Sequence, residues 1–483
     1  MSELTDYSTG YDMRPALNAL IKSLDIKEAI KTISHLSTIQ NKDTSPRFND
    51  HKLGILLRVL IEASTNGKLG EKSLTTSSLN LCLDIVSSIV ESPNSILGTP
   101  VPSNAMSFLH RLAYQRMPDQ DRSYIARSLY IYHEIAPKIK QDIGFDFELD
   151  FASQFGLSTA EFWQIGYSIY KMSVEEPSLS FTLSKMAGSL NIEANKLESF
   201  LRLTACDTNS YKSLLRIPTE QSHFEPYSIN PLRKVPIIQI TSTEYMIPIP
   251  AYLLRRITHG LYYDLIELNR KEFIRLIGRS LQEYIRFLLE DCLPENKIRF
   301  DRGFWSIYDT DTVLMMTSVT RPFGALSRTT GDPEQIRRDL ARPGGLVETI
   351  IQLQSTIKQA ESKKPNGTAK LSGMVVALED FFYGNGPFIR GIVNQELKRL
   401  GKPIMKETVL LTHIKGFEAL CTASRKTKTS IGDIITEMNR SPYHFGMELD
   451  AYLQYSTILN FDDQVFDLTP RIFARTHEKY LNV

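Results

Sequence analysis

Apolar residues recur at i, i+3, i+4 and i+7 through most of residues 12–215, the spacing that turns one face of a 3.6-residue helix inward. Leu53, Leu56, Leu57, Val59, Leu60 and Ile61 mark one such helix, and Leu79, Leu81, Ile85 and Ile89 the next. Stretches rich in Pro, Asn, Asp or Ser at 41–49, 92–102 and 118–120 break the pattern. Residues 12–215 are therefore expected to be almost wholly helical, with Asp84 and Glu91 on solvated faces. Helices at 181–190 and 193–201, joined by a short turn, have the outline of a helix-turn-helix, a motif that is also common as plain packing.

The pattern changes near Phe224. Pro231-Leu232-Arg233-Lys234-Val235-Pro236 reads as a linker. Residues 236–240 and 245–249 then predict a hairpin, which its prolines assign to a sheet edge. Residues 252–268 return to helical spacing, with a lone His259. From Lys271 onward, helix 272–291 is followed by strands at 303–308 and 312–319. An Arg-, Gly- and Thr-rich loop follows at 321–331, then helix 345–361, strand 371–378, helix 387–400 and strand 409–412. Helices at 414–423, 431–438 and 447–455 close the chain. The fold class is α+β: a helical half, then a layered core around a small mixed sheet. The expected division is a helical domain 1–222, a hairpin and linking helix 223–269, a core 270–415 and a helical extension 416–483.

Composition narrows the function. The 483 residues carry 56 basic and 55 acidic side chains, so no global field attracts nucleic acid or a membrane. Cys82, Cys206, Cys292 and Cys421 are widely spaced and form no CxxC pair, which points to a reducing, cytoplasmic setting and against structural zinc. No apolar run is long enough to span a bilayer, no membrane partner is expected, and the polar start shows no secretory leader. Phosphate-loop, dinucleotide and nucleophile-elbow motifs are absent.

The most informative segment is 303–322. Two short strands flank Asp309-Thr310-Asp311, preceded by a helix carrying Gly278 and, five residues on, Glu283-Tyr284. This layout resembles the PD-(D/E)xK nuclease superfamily, with Trp305, Ile307, Leu314, Arg321 and Pro322 at matching positions. The resemblance covers about 270–415 and implies a restriction-endonuclease-like α/β/α core. It also places Phe304, Thr317 and Val319 where active relatives hold Asp, Glu and Lys. Two carboxylates are needed there to hold Mg²⁺, and the Lys to stabilise developing negative charge. Phe and Val can do neither, and Thr offers one neutral oxygen. The site is expected to be degenerate, with no metal and no cofactor.

The resemblance thus implies a catalytically degenerate protein, bacterial or phage-associated, that binds a protein partner and, where the fold retains it, DNA. Antiphage defence is one such setting by analogy. A second reading is an active Mg²⁺-dependent endonuclease whose acids have moved to Glu283, Asp309 and Asp311, although Asp-Thr-Asp also suits a simple turn. A third is a pure protein-interaction adaptor. Arg321, Arg328, Arg337 and Arg338 are the candidate phosphate-binding residues, set against interleaved acids. Gln352 and Gln354 match a glutamine position of relatives, Glu379 reads as a cap, and the sequence does not determine oligomeric state.

Overall fold

The computed structural model describes residues 21–22, 24–40, 50–63, 75–91, 124–215, 230–294, 297–301, 303–309, 312–362, 370–379, 381, 384–440, 447–456 and 458. In chain order, α1 (Ile26–Gln40), α2 (Asp50–Ala63) and α3 (Thr76–Glu91) come first. Helix α4 (Tyr124–Leu129) runs through a π-helical turn (Tyr130–Ile135) into α5 (Ala136–Ile143), followed by α6 (Phe147–Phe155) and α7 (Thr159–Glu175). Strand β1 (Ser180–Thr182), α8 (Leu183–Leu190), α9 (Ala194–Thr204), β2 (Ala205–Asp207) and α10 (Thr208–Leu215) are next. Strands β3 (Ile237–Gln239) and β4 (Glu244–Met246) lead to α11 (Pro250–Ile257), α12 (Leu261–Leu268) and the long α13 (Arg270–Cys292). The remainder is β5 (Ile298–Asp301), β6 (Phe304–Asp309), β7 (Thr312–Val319), α14 (Ala325–Thr330), α15 (Pro333–Ala341), α16 (Leu346–Ser362), β8 (Lys370–Ala377) and α17 (Pro387–Arg399). Strand β9 (Val409–His413), α18 (Ile414–Thr427), α19 (Ile431–Arg440) and α20 (Leu449–Tyr455) complete it. The architecture is α+β, and no described helix is long and apolar enough to cross a membrane.

The chain falls into two compact units, Met1–Val101 with Phe147–Leu268, and Pro102–Asp146 with Asn269–Val483. One division between the units falls at 268/269. Residues 102–146 join the C-terminal unit, because α5 packs against α13. Helical periodicity shows that a face is buried but not which helix covers it.

In the first unit, Ile30, Ile33, Leu53, Leu56, Leu57, Leu60, Leu79 and Cys82 pack with Ile238, Met246 and Tyr252. The expectation of an almost wholly helical 12–215 is corrected by β1 and β2. These three-residue strands flank the β3–β4 hairpin in the order β1-β4-β3-β2. Three residues are too few for a period-2 pattern to register. Nor is the hairpin at an edge. Both of its strands are interior, and Pro236 and Pro248 sit just outside the ladder, where their missing N–H groups cost nothing.

In the second unit, five strands lie in chain order β5-β6-β7-β8-β9, the first pairs antiparallel and β7/β8/β9 parallel. Val313, Met315 and Val319 share a cluster with Ile336 and Leu340 of α15, Leu353 of α16 and Val393 of α17. The alternate residues, among them Leu314 and Met316, are buried toward the opposite face, where α13 and α19 lie against β7 and α18 against β8 and β9. Helices thus cover both faces. The pattern did not foresee β5, whose residues are mostly exposed, or α14 and α15, which occupy part of the expected loop and the stretch after it.

Candidate functional site

The β6–β7 register pairs Trp305 with Met316 and so sets Phe304 opposite Thr317. Thr317 Oγ1 donates to the Gly303 carbonyl at 3.3 Å. Val319 belongs to the apolar cluster, and Phe304 packs against it. The three positions expected to be degenerate therefore gather on one face of β6 and β7, and carbon fills two of them. Glu283 is half-buried on α13. Its neighbour Gln282 places Nε2 3.7 Å from where a Cβ of Gly303 would stand, so this stretch of α13 passes the Phe304 end of β6. Asp309 pairs with Thr312 at the other end. It stands five residue steps along the strand from Phe304, about 16 Å at ~3.3 Å per residue. Asp311 lies outside the described residues.

The polar groups converge beyond the C-terminal ends of the parallel strands. Pairing continues past β7 and β8, with the Leu378 and Glu379 N–H groups donating to Val319 O and Thr320 O. This draws Glu379 under the chain leaving β7. Its Oε2 lies 3.2 Å from Arg321 Nε and 2.8 Å from Arg328 Nη2. Glu379 is 5 % exposed. It is the counter-ion of two arginines rather than a cap. The Gly324 N–H donates to Asp339 Oδ2 at 2.7 Å, and Arg328 Nε donates to Gly324 O, so the turn carrying both arginines is itself anchored.

The four candidate arginines divide in two. Arg321 and Arg328 meet at Glu379. Arg337 pairs with Glu334 at 2.6 Å and Glu396 at 2.8 Å, and Arg338 with Glu334 at 3.1 Å. Each guanidinium is committed to a carboxylate of the same chain. Gln354 is likewise engaged, accepting from Lys406 N–H, and Gln352 bonds Glu348.

The chain matches no family model, no curated protein and no solved structure.

Sequence reasoning missed a second cluster, His413, Glu448 and Asp450. His413 ends β9 and caps α18, its Nδ1 accepting from the Gly416 N–H at 3.3 Å. Its Nε2 stands 3.0 Å from Glu448 Oε2 and 3.6 Å from Asp450 Oδ1, while Lys415 Nζ lies 3.3 Å from Asp450 Oδ2. Burial and the Gly416 amide oppose a charge on the ring. Asp450 and Glu448 outweigh them and hold its pKa well above the ordinary 6.5. For Asp450, burial favours the neutral acid, but His413 and Lys415 outweigh it and hold the carboxyl far below the usual range. Among the described residues this group brings three ligand types together within 4.8 Å. Two features argue against a metal there. A ligating imidazole normally donates its other ring N–H, whereas Nδ1 here faces a backbone donor, and Lys415 already supplies a cation. The cluster reads as an internal ionic tie between β9 and the start of α20. No spacing in the sequence signals it, because 35 residues separate His413 from Glu448.

Proposed function

We propose that this is a catalytically degenerate nuclease-like protein acting as a binding or scaffold subunit in a nucleic-acid-related process. The supporting observation is the joint placement of Phe304, Thr317 and Val319 on one patch of the sheet, filled by side chains that cannot hold Mg²⁺ or a hydroxide nucleophile. The order α13-β5-β6-β7-α16-β8, interrupted by α14 and α15 after β7 and with β7 and β8 parallel, supports the restriction-endonuclease-like reading of the core. Antiphage defence remains the analogous setting.

The active-nuclease alternative fits less well. Asp309 stands at the end of β6 remote from Phe304, too far to share a metal with an acid near Gly303. The deciding experiment incubates the protein with labelled single- and double-stranded DNA and Mg²⁺ or Mn²⁺. No cleavage and only weak metal binding are expected. Metal-dependent cleavage abolished by Asp309→Ala or Asp311→Ala would establish the alternative. The adaptor reading is favoured by one observation, the commitment of all four candidate arginines to internal carboxylates. It prevails if neither DNA nor RNA binds in a salt-dependent way.

A further inference from the structure

Within the first unit, α8 and α9 are joined by three residues, 191–193, and Asn191 takes the left-handed conformation at φ 51° that turns the chain sharply. Thr182 caps α8, its Oγ1 accepting from the Lys185 N–H. Helix α7 backs α9, with Phe162 against Phe200 at 5.4 Å between ring centroids. The strand before the pair, β1, is antiparallel to β4, the return strand of the β3–β4 hairpin. This register brings the hairpin beside the two helices. In chain order α7, β1, α8, the turn and α9 are followed by β2 and α10 and only then by the hairpin; the pairing of β1 with β4 is nevertheless that of a helix-turn-helix carrying a β-wing, with β2 added beside β3.

The chemistry of the outer face separates the partners such a module takes. Helix α9 buries Leu197, Phe200, Leu201 and Thr204. It exposes Asn195, Glu198 and Arg202, three and four residues apart and so on one side. Helix α8 exposes Ser184, Lys185, Gly188 and Ser189, and the hairpin tip exposes Thr241, Ser242 and Thr243. A Cβ at Gly188 would meet nothing within 4 Å, so the backbone there is open to close approach. The exposed large apolar side chains among the described residues lie on other elements. A face built of amides, hydroxyls and charges, without an apolar anchor, suits a hydrogen-bonding partner better than a protein groove.

We propose that α8, α9 and the β3–β4 hairpin form a winged helix-turn-helix that reads duplex DNA, with α9 in the major groove. Asn195 and Arg202 carry the side-chain types that bond adenine and guanine edges bidentately, and Glu198 can accept from cytosine. Lys185 and the hydroxyls of α8 and the wing hold phosphates. Exposed Glu193 and Glu198 offset Lys185 and Arg202, so binding depends on base contacts more than on charge, with a shallow salt dependence. This inference does not rest on the nuclease-like reading, which concerns the other unit.

The test uses the full-length protein and a labelled duplex pool of randomised sequence. Successive selection is expected to enrich one motif. On that duplex, measured by fluorescence anisotropy, Asn195→Ala and Arg202→Ala should each weaken binding roughly 5- to 150-fold and relax preference at one position. Lys185→Ala should lower the log–log salt slope by about 0.9 without changing the preferred motif. All three residues are exposed, and unchanged circular dichroism confirms that each variant is folded. Failure to enrich any motif overturns the proposal, as does equal affinity for the single strand of the same sequence. DNA binding insensitive to all three variants overturns it too, while leaving a nucleic-acid role for the nuclease-like unit intact.

Discussion

At the residue scale, Glu379 shows how a charge can be misread from its neighbours in sequence. It stands beside Asp380 and an aromatic run, yet its partners come from 58 and 51 residues upstream, at Arg321 and Arg328. Removing one member of a buried ion group leaves the others unpaired, at a cost of about 3–5 kcal/mol. Glu379→Gln should lower unfolding stability in urea by roughly that amount. An unchanged midpoint would show that the arginines find water instead. His413 gives a pH-dependent counterpart. Its folded pKa lies above the ordinary 6.5, so the native state holds a proton that the unfolded chain releases between those values. The stability is therefore fully present below about pH 6.5 and is lost as pH rises through the folded value, by at most about 1.4 kcal/mol per pH unit. His413→Gln should remove that decline, as read from denaturation midpoints at a series of pH values. Cys82 and Cys206 provide a third measurement. Burial pushes their thiols up to about 11 and about 12. With almost no thiolate at pH 8, both should resist iodoacetamide in the native protein and react promptly in denaturant.

At the element scale, close helix packing decides the frame of the first unit. Gly166 lies on α7 against α11, and a Cβ there would stand 2.4 Å from Ile257 Cγ2 and 3.1 Å from Phe200 Cε2. The same turn of helix thus meets both α11 and α9. Gly166→Ala should push these helices apart and cost about 1–3 kcal/mol, measurable as a lowered thermal midpoint. Because α9 is the element assigned to the major groove, this substitution should also weaken duplex binding. Helix α11 is held a second way. Arg256, 1 % exposed, donates to both oxygens of Asp264 at 2.6 and 2.9 Å and to Lys234 O. That buried pair turns the chain between α11 and α12, where the sequence pattern showed one continuous helix.

At the scale of the molecule, the C-terminal unit borrows residues 102–146 from the middle of the helical half. Arg127 of α4 donates to both carboxylate oxygens of Glu418 on α18, at 2.6 and 2.8 Å, and Tyr284 of α13 donates to the same group at 2.8 Å. A fragment beginning at 269 would keep Glu418 buried without its guanidinium. It should be less stable than one that also carries 102–146, by about 3–5 kcal/mol. Supplying 102–146 in trans should recover part of the loss. Equal stability of the two fragments would show that α4 and α5 are dispensable.

The sequence alone determined most of the elements of the second unit. Strands β6, β7, β8 and β9 and helices α13, α16 and α17 fall within a residue or two of the expected spans, because each carries a continuous apolar face. The family-like pattern singled out Phe304, Thr317 and Val319, and the register of β6 on β7 sets the first two opposite each other. Tertiary structure alone decided what lies far apart in the chain. The pairing of β1 with β4, the union of Arg321, Arg328 and Glu379, and the packing of α5 on α13 arise from surfaces that meet only when the chain is compact. Local spacing encodes which face of an element is apolar. It does not encode which of several equally apolar faces will cover it, nor which distant carboxylate will neutralise a buried arginine.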